Sequence, residues 1–201
     1  MKRVFLTGLL GAIAMFLWTS LAHMVLPLGE TGVSQIENEQ AILTAMQQQL
    51  GTKPGLYLFP NMGVSPAASN AEKQEAMRKY DAKLAANPSG MLIYHPPGEK
   101  SLTPGRLLTE FLTELAEALL AVFLLAQTRL VSYGARLGFV AVVGLIAAIT
   151  TNVPYWNWYG FPTNYTLAYM TVEFGGFVAA GLIAAALIRP QVASLAVAAG
   201  K

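Results

Sequence analysis

What this chain can fold into is constrained above all by four apolar runs of membrane-crossing length. The hydrocarbon core of a bilayer takes about 20 consecutive apolar residues as a helix. The sequence offers Val4 to Leu28, Leu107 to Thr128, Leu137 to Val153 and Tyr165 to Ile188. The first carries no formal charge and one histidine, His23. The second opens with Glu110, Glu114 and Glu117, and the fourth is interrupted only by Glu173. The third is short unless the stretch from Leu130 joins it and Arg136 extends its head to the interface. With 54% of 201 residues hydrophobic and 12% charged, the chain is too apolar for an average soluble domain and too poor in charge for disorder.

Orientation follows from the basic residues in short connections, because Lys and Arg are retained on the cytoplasmic side. Lys2 and Arg3 precede the first run, Arg129 and Arg136 lie between the second and third, and Arg189 follows the fourth. Both termini are therefore assigned to the cytoplasm and residues 29–105 to the outside. A competing reading takes Lys2, Arg3, the apolar run and Ser20 to Ala22 as a cleavable secretory signal. The apolar run continues past that point to Leu28, which favours a retained helix. The expected division is residues 1–28 as transmembrane helix 1, 29–105 as an extracytoplasmic domain and 106–201 as transmembrane helices 2–4. The expected fold is an all-α transmembrane four-helix bundle with a small α/β extracytoplasmic domain inserted between helices 1 and 2.

Within that inserted segment, Ser34 and Glu37 match the Ser-x-x-Glu capping box, ahead of Ile42, Leu43, Met46 and Leu50 at helical spacing and a stop at Gly51. "PGLYLFP" reads as a short buried strand. A second, charged helix follows, capped by Ser69 or Asn70, and "GMLIYHPP" closes the segment as another strand. His95 reads as a strand-end histidine bonded to backbone or water. Tyr57, Phe59, Met62 and Tyr94 read as the core of the small domain or, alternatively, as an aromatic ligand pocket.

Residue counts remove several function classes. With no cysteine, disulfides, thiolate nucleophiles, iron–sulfur clusters and thiolate zinc sites are excluded. Two histidines are too few for a histidine-rich diiron enzyme or a multi-haem protein. The net charge of +2 is scattered, with none of the clustered Lys and Arg that nucleic-acid binding requires.

The remaining signal is acidic and lies inside the apolar runs. At 100° per residue, Glu110, Glu114 and Glu117 fall within a sector of roughly 60° on one helix face, with Thr113 beside it. Measured from Gly105, they lie about 7, about 13 and about 18 Å below the outer entrance. Glu173 lies about 12 Å beyond Tyr165, and His23 about 7 Å before Leu28. Thr150, Thr151 and Asn152 occupy the outer end of the third run, Thr19 and Ser20 neighbour His23, and Tyr165, Tyr169 and Glu173 repeat at four-residue spacing. Nearly every strongly polar residue of the runs thus belongs to the outer half of the membrane. An ionisable side chain near the bilayer centre costs about 2.5 to 3.5 kcal/mol on insertion scales. The economical arrangement turns the acids inward, where they share protons, a cation or water. Close-packed acids cannot all ionise, so at least one of Glu114, Glu117 and Glu173 is expected to hold a proton near neutral pH.

The expected ligand-binding set is His23, Glu110, Glu114, Glu117, Tyr169 and Glu173. A divalent cation such as zinc or manganese would suit His23, Glu114, Glu117 and Glu173, with one nitrogen and several oxygens. The plainer reading makes the acids neutral carboxyls that join helices, each hydrogen bond contributing about 0.6 to 2 kcal/mol. On that reading Glu110 is an interfacial residue within reach of Arg106. Tyr155, Trp156, Trp158, Tyr159 and Phe161 read as an interfacial aromatic belt or as a lid over the acids. Gly134, Gly138, Gly144, Gly175, Gly176 and Gly181 read as close-approach positions between helices.

"FLWTSLAHMVLPLGETG", "PGLYLFP" and "MLIYHPPG" together resemble a family of small bacterial inner-membrane proteins, a resemblance that implies the compartment but no activity. The large first and short second external loops are similar to claudin topology, without the claudin tryptophan, glycine and cysteine-pair signature. The functional expectation is an accessory or sensing subunit whose outer-leaflet cluster binds a cation, proton or small polar ligand. The alternatives are an enzyme acting on lipid or quinone-like substrates, with a glutamate as general base but no evident nucleophile, and a structural subunit. The bilayer is the expected surround, and the extracytoplasmic domain is where a membrane-protein partner would dock.

Overall fold

The computed structural model describes residues 1–188; Arg189, used above for orientation, lies outside them. In chain order the elements are α1 (Lys2–Met24), α2 (Glu39–Leu50), β1 (Gly55–Phe59), α3 (Asn70–Ala86), β2 (Gly90–Tyr94), α4 (Pro104–Ala126), α5 (Tyr133–Tyr159) and α6 (Thr163–Leu187). They fall into two compact units, one formed by Met1–Val33 with the chain from Leu102 onward, the other by Ser34–Ser101.

The first unit is a helical bundle in which α1 packs against both α4 and α6, and α6 packs against α5. The order around the bundle is α4, α1, α6, α5, and the two ends of this arc touch little. Small residues set the spacing. Ala12, Ala118, Ala121, Ala180 and Ala184 are buried in the core beside Val122, Leu125, Val140 and Phe177, and small side chains let helix backbones approach. Gly144 and Gly175 fulfil the expectation for close approach. A Cβ on Gly144 would lie 2.3 Å from the Phe177 Cβ, and one on Gly175 would lie 2.5 Å from the Trp18 indole. Gly134 and Gly138 do not, since nothing lies within 4 Å of an added Cβ at either. Outward, Leu17, Leu120, Val142, Ile146 and Leu167 are each more than half exposed, an inside-out distribution for a water-soluble bundle.

Among the described residues three helices, α1, α5 and α6, are long and apolar enough to cross a membrane, the mark of a small integral membrane protein. The sequence pattern gave four. α4 has the length, 23 residues, but carries Arg106, Glu110, Glu114 and Glu117. Its buried stripe is Glu114, Ala118, Ala121, Val122 and Leu125, so the second glutamate continues the apolar face packed into the bundle.

Local signals place the helix ends. The Thr103 hydroxyl accepts from the Arg106 backbone N–H with Pro104 in the first turn of α4, and Ser132 accepts from the Ala135 N–H to start α5. The third span is longer than the sequence suggested. α5 continues through Pro154 to Tyr159 and stops where Gly160 turns left-handed at φ 69°. Most of the expected aromatic loop is consequently helix. Arg136 lies in the first turn of α5, where its Nε donates to the Ala185 carbonyl near the end of α6 at 2.9 Å. A cation there is favoured by the helix dipole.

The second unit pairs β1 with β2 antiparallel, Leu56 opposite Ile93 and Leu58 opposite Met91, with α3 as the crossover. Ser69 and Glu72 form a reciprocal capping box that starts α3. The box expected at Ser34 and Glu37 does not form. α2 begins at Glu39 after Asn38, without a side-chain cap, and Glu39 in its first turn supplies the negative charge that a helix start favours. β1 is largely exposed rather than buried. Among the described residues of this unit only Tyr94 is buried, its hydroxyl donating to the Gly51 carbonyl at 2.8 Å. Phe59 and Met62 are exposed and Tyr57 is half-buried, so these side chains do not form a buried core. His95 is exposed, with Nδ1 3.8 Å from a Glu99 carboxylate oxygen.

Candidate functional site

The four helices of the bundle line a half-open cavity of about 420 Å³. It gathers the C-terminal halves of α1 and α5 and the N-terminal halves of α4 and α6, as an up-down-up-down bundle requires. His23, Glu110, Glu114, Glu117, Tyr169 and Glu173, six residues scattered over 150 positions of sequence, all line it. Among the described residues no lysine or arginine does.

Each acid sits differently. Glu173, half-buried on α6, is held from α5: Thr151 Oγ1 donates to Oε1 at 3.2 Å and Asn152 Nδ2 donates to Oε2 at 2.9 Å. Asn152 Nδ2 also donates to the Ala148 carbonyl at 3.0 Å, which fixes the amide. Glu114, only 4% exposed, lies beside Thr19. Its Oε2 is buried without a hydrogen-bond partner. An unsatisfied buried carboxyl oxygen costs about 1 to 3 kcal/mol or more. Glu117 is half-buried and electrostatically close to both Glu173 and Glu110, while Glu110 is exposed at the rim.

His23 Nδ1 lies 2.9 Å from the Thr19 carbonyl of its own helix. A carbonyl only accepts, so Nδ1 is the donor and the neutral ring keeps Nε2 as an acceptor. The ring meets Tyr169 edge-on with centroids 5.9 Å apart, and Tyr169 stacks on Tyr165 at 4.3 Å. The series continues through Phe161 and Tyr155 at 5.4 Å steps. The end of α5 and the start of α6 therefore form an aromatic column reaching the cavity wall. Trp156 and Trp158 are exposed, as a belt residue would be.

The expected metal set is not assembled. Among the described residues no three His, Asp or Glu side chains converge closely enough to hold a metal ion. His23, Glu114, Glu117 and Glu173 share the cavity, but Glu173 is already satisfied from α5 and His23 is tied to α1 through Nδ1. Thr151 and Asn152 had been visible as polar residues at a helix end. Their engagement with Glu173 had no signal in sequence spacing. Comparison with protein-family models, curated proteins and solved structures finds no match for this chain, so any functional reading rests on the cavity itself.

Proposed function

We propose that the protein is a small multi-pass protein of the bacterial inner membrane, with α4 as its fourth span, both termini cytoplasmic and residues 29–105 outside. Its acidic cavity, in the outer half of the bilayer, binds a cation, and the protein serves as an accessory or sensing subunit. The distribution of charge supports the orientation. Lys2, Arg3, Arg129 and Arg136 sit at one end of the bundle and the carboxyls toward the other. One observation carries the binding site: Glu114 Oε2 is buried and unpartnered, and Glu114 lines a cavity with three further carboxyls and, among the described residues, no lysine or arginine. A structural carboxyl joining two helices would spend its acceptors on the neighbouring helix, as Glu173 does. Glu114 leaves one open.

Cation titration at constant ionic strength, read by thermal unfolding of the detergent-solubilised protein, tests the reading. A ligand that binds only the folded state stabilises it by about 2.7 kcal/mol at one hundred times its dissociation constant. A saturable rise in Tm is expected for the wild type and its loss for Glu114→Gln combined with Glu173→Gln. Identical responses from the two proteins would remove the site.

A further inference from the structure

Resting on that cation reading, we infer that the cavity takes a protonated aliphatic amine, an organic ammonium ion with several N–H donors, in preference to a metal ion. Charge decides the sign of the ligand. The lining holds the carboxyls of Glu110, Glu114, Glu117 and Glu173 and, among the described residues, neither lysine nor arginine, so an anion is disfavoured.

Hydrogen-bond inventory decides what kind of cation. Several donors at the wall are already used. Thr151 and Asn152 serve Glu173, Thr113 Oγ1 donates to the Thr109 carbonyl at 3.0 Å, and His23 Nδ1 donates to Thr19. The wall also holds the hydroxyls of Thr19 and Tyr169 and a larger set of carboxyl acceptors, among them Glu114, whose Oε2 has no partner. An ammonium group carries up to three donors and no acceptor, which is the complement of such a surface.

Size and coordination argue against an inorganic ion. A cation with six waters occupies about 180 Å³ at about 30 Å³ per water, well under the cavity's 420 Å³. Cavities of about 300 to 1,000 Å³ are the range of small organic ligands. Among the described residues no three acidic or imidazole side chains are placed to ligate a metal. The Tyr169 ring, Met15 and Val172 add an apolar and aromatic wall suited to an alkyl chain next to a positive charge.

The test uses the full-length protein in detergent micelles and three doubly charged probes at constant ionic strength: 1,4-diaminobutane, its fully N-methylated analogue 1,4-bis(trimethylammonio)butane, and magnesium. The methylated analogue has the charge and the alkyl body without N–H donors, and magnesium has the charge without the alkyl body. The diamine is expected to bind saturably by calorimetry, at least tenfold more tightly than either of the others, and at least tenfold more weakly to Glu114→Gln. If that variant does not fold, Glu117→Gln replaces it, and the wild-type preference among the three probes decides the matter in any case. Equal binding of the methylated analogue and the diamine overturns the amine assignment, as does tighter binding of magnesium; both leave the cation reading standing. Binding of none of the three overturns the amine assignment and the cation reading together.

Discussion

Replacing Glu114 by methionine removes the one buried carboxyl whose Oε2 has no partner while keeping side-chain length and the α4 stripe of Ala118, Ala121, Val122 and Leu125. Methionine is unbranched and fits irregular gaps. The unsatisfied oxygen costs about 1 to 3 kcal/mol, so Glu114→Met in ligand-free protein is expected to be more stable by about that amount. This is about a fivefold to 160-fold change in the folding equilibrium. Glu114→Gln substitutes one unsatisfied polar group for another and is expected to change stability by less than about 1 kcal/mol. Unfolding in mixed micelles by an anionic detergent, followed by far-ultraviolet circular dichroism, reads both variants against the wild type. Greater stability with loss of cation response is the signature of a residue retained for binding at the expense of the fold. If Glu114→Met instead destabilises by 1 kcal/mol or more, Glu114 is a hydrogen-bonded joint between helices, and the argument from its open oxygen is wrong.

Two further outcomes follow from features outside the cavity. Gly144→Ala places a methyl 2.3 Å from the Phe177 Cβ and is expected to cost about 1 to 3 kcal/mol by overpacking, whereas Gly134→Ala, with nothing within 4 Å, is expected to be neutral or to stabilise by up to about 1 kcal/mol; the same unfolding assay compares them. In the second unit, the Ser69 hydroxyl and backbone N–H hold the Glu72 carboxyl below its ordinary value of 4.5. A carboxyl with a lowered folded-state pKa contributes its stability fully above its unfolded value and loses it as pH falls through the folded one. Hydrogen exchange in the first turn of α3 should therefore be protected at neutral pH and lose protection below pH 4.5, with Ser69→Ala less protected at neutral pH and less sensitive to acid. Equal pH profiles for the two proteins would show that the capping box contributes nothing.

The helices and the shared face of Glu110, Glu114 and Glu117 were legible because helical periodicity is a strong local signal, and depth along an apolar run follows from a fixed rise per residue. Together they were enough to place six residues from three helices at one cavity. Periodicity fixes an angular sector, however, and metal ligation depends on distances good to about 0.2 Å. The set His23, Glu114, Glu117 and Glu173 was therefore reachable as a neighbourhood and not as a coordination sphere. The third run was expected to end at Val153, and that end proved too early. A proline usually ends or kinks a helix, but α5 carries its register past it to Gly160, whose φ of 69° makes the stop. That shift turns the expected loop into helix and brings Tyr155 into line with Phe161 and Tyr165. The grip of Thr151 and Asn152 on Glu173 is a contact between helices, for which neither chain segment carries a local pattern.

The composition of α4 and the open side of the bundle have a common explanation in the four-span arrangement proposed here. Three carboxyls facing lipid would cost about 8 to 10 kcal/mol on insertion scales, enough to keep α4 out of the bilayer as an isolated helix. α4 avoids this by packing its Ala118, Ala121 and Leu125 stripe on α1 and leaving the glutamate sector to the cavity, beside a neighbour, α5, that it barely touches. Tight packing of α4 against α5 would fill that space with apolar side chains and leave no room for water or a cation around the carboxyls. The loose contact between the two ends of the helical arc is thus what lets the acids be solvated within the membrane. On the proposed cation reading, a cation in the cavity also stabilises the position of α4, which couples ligand binding and the seating of this helix in one equilibrium.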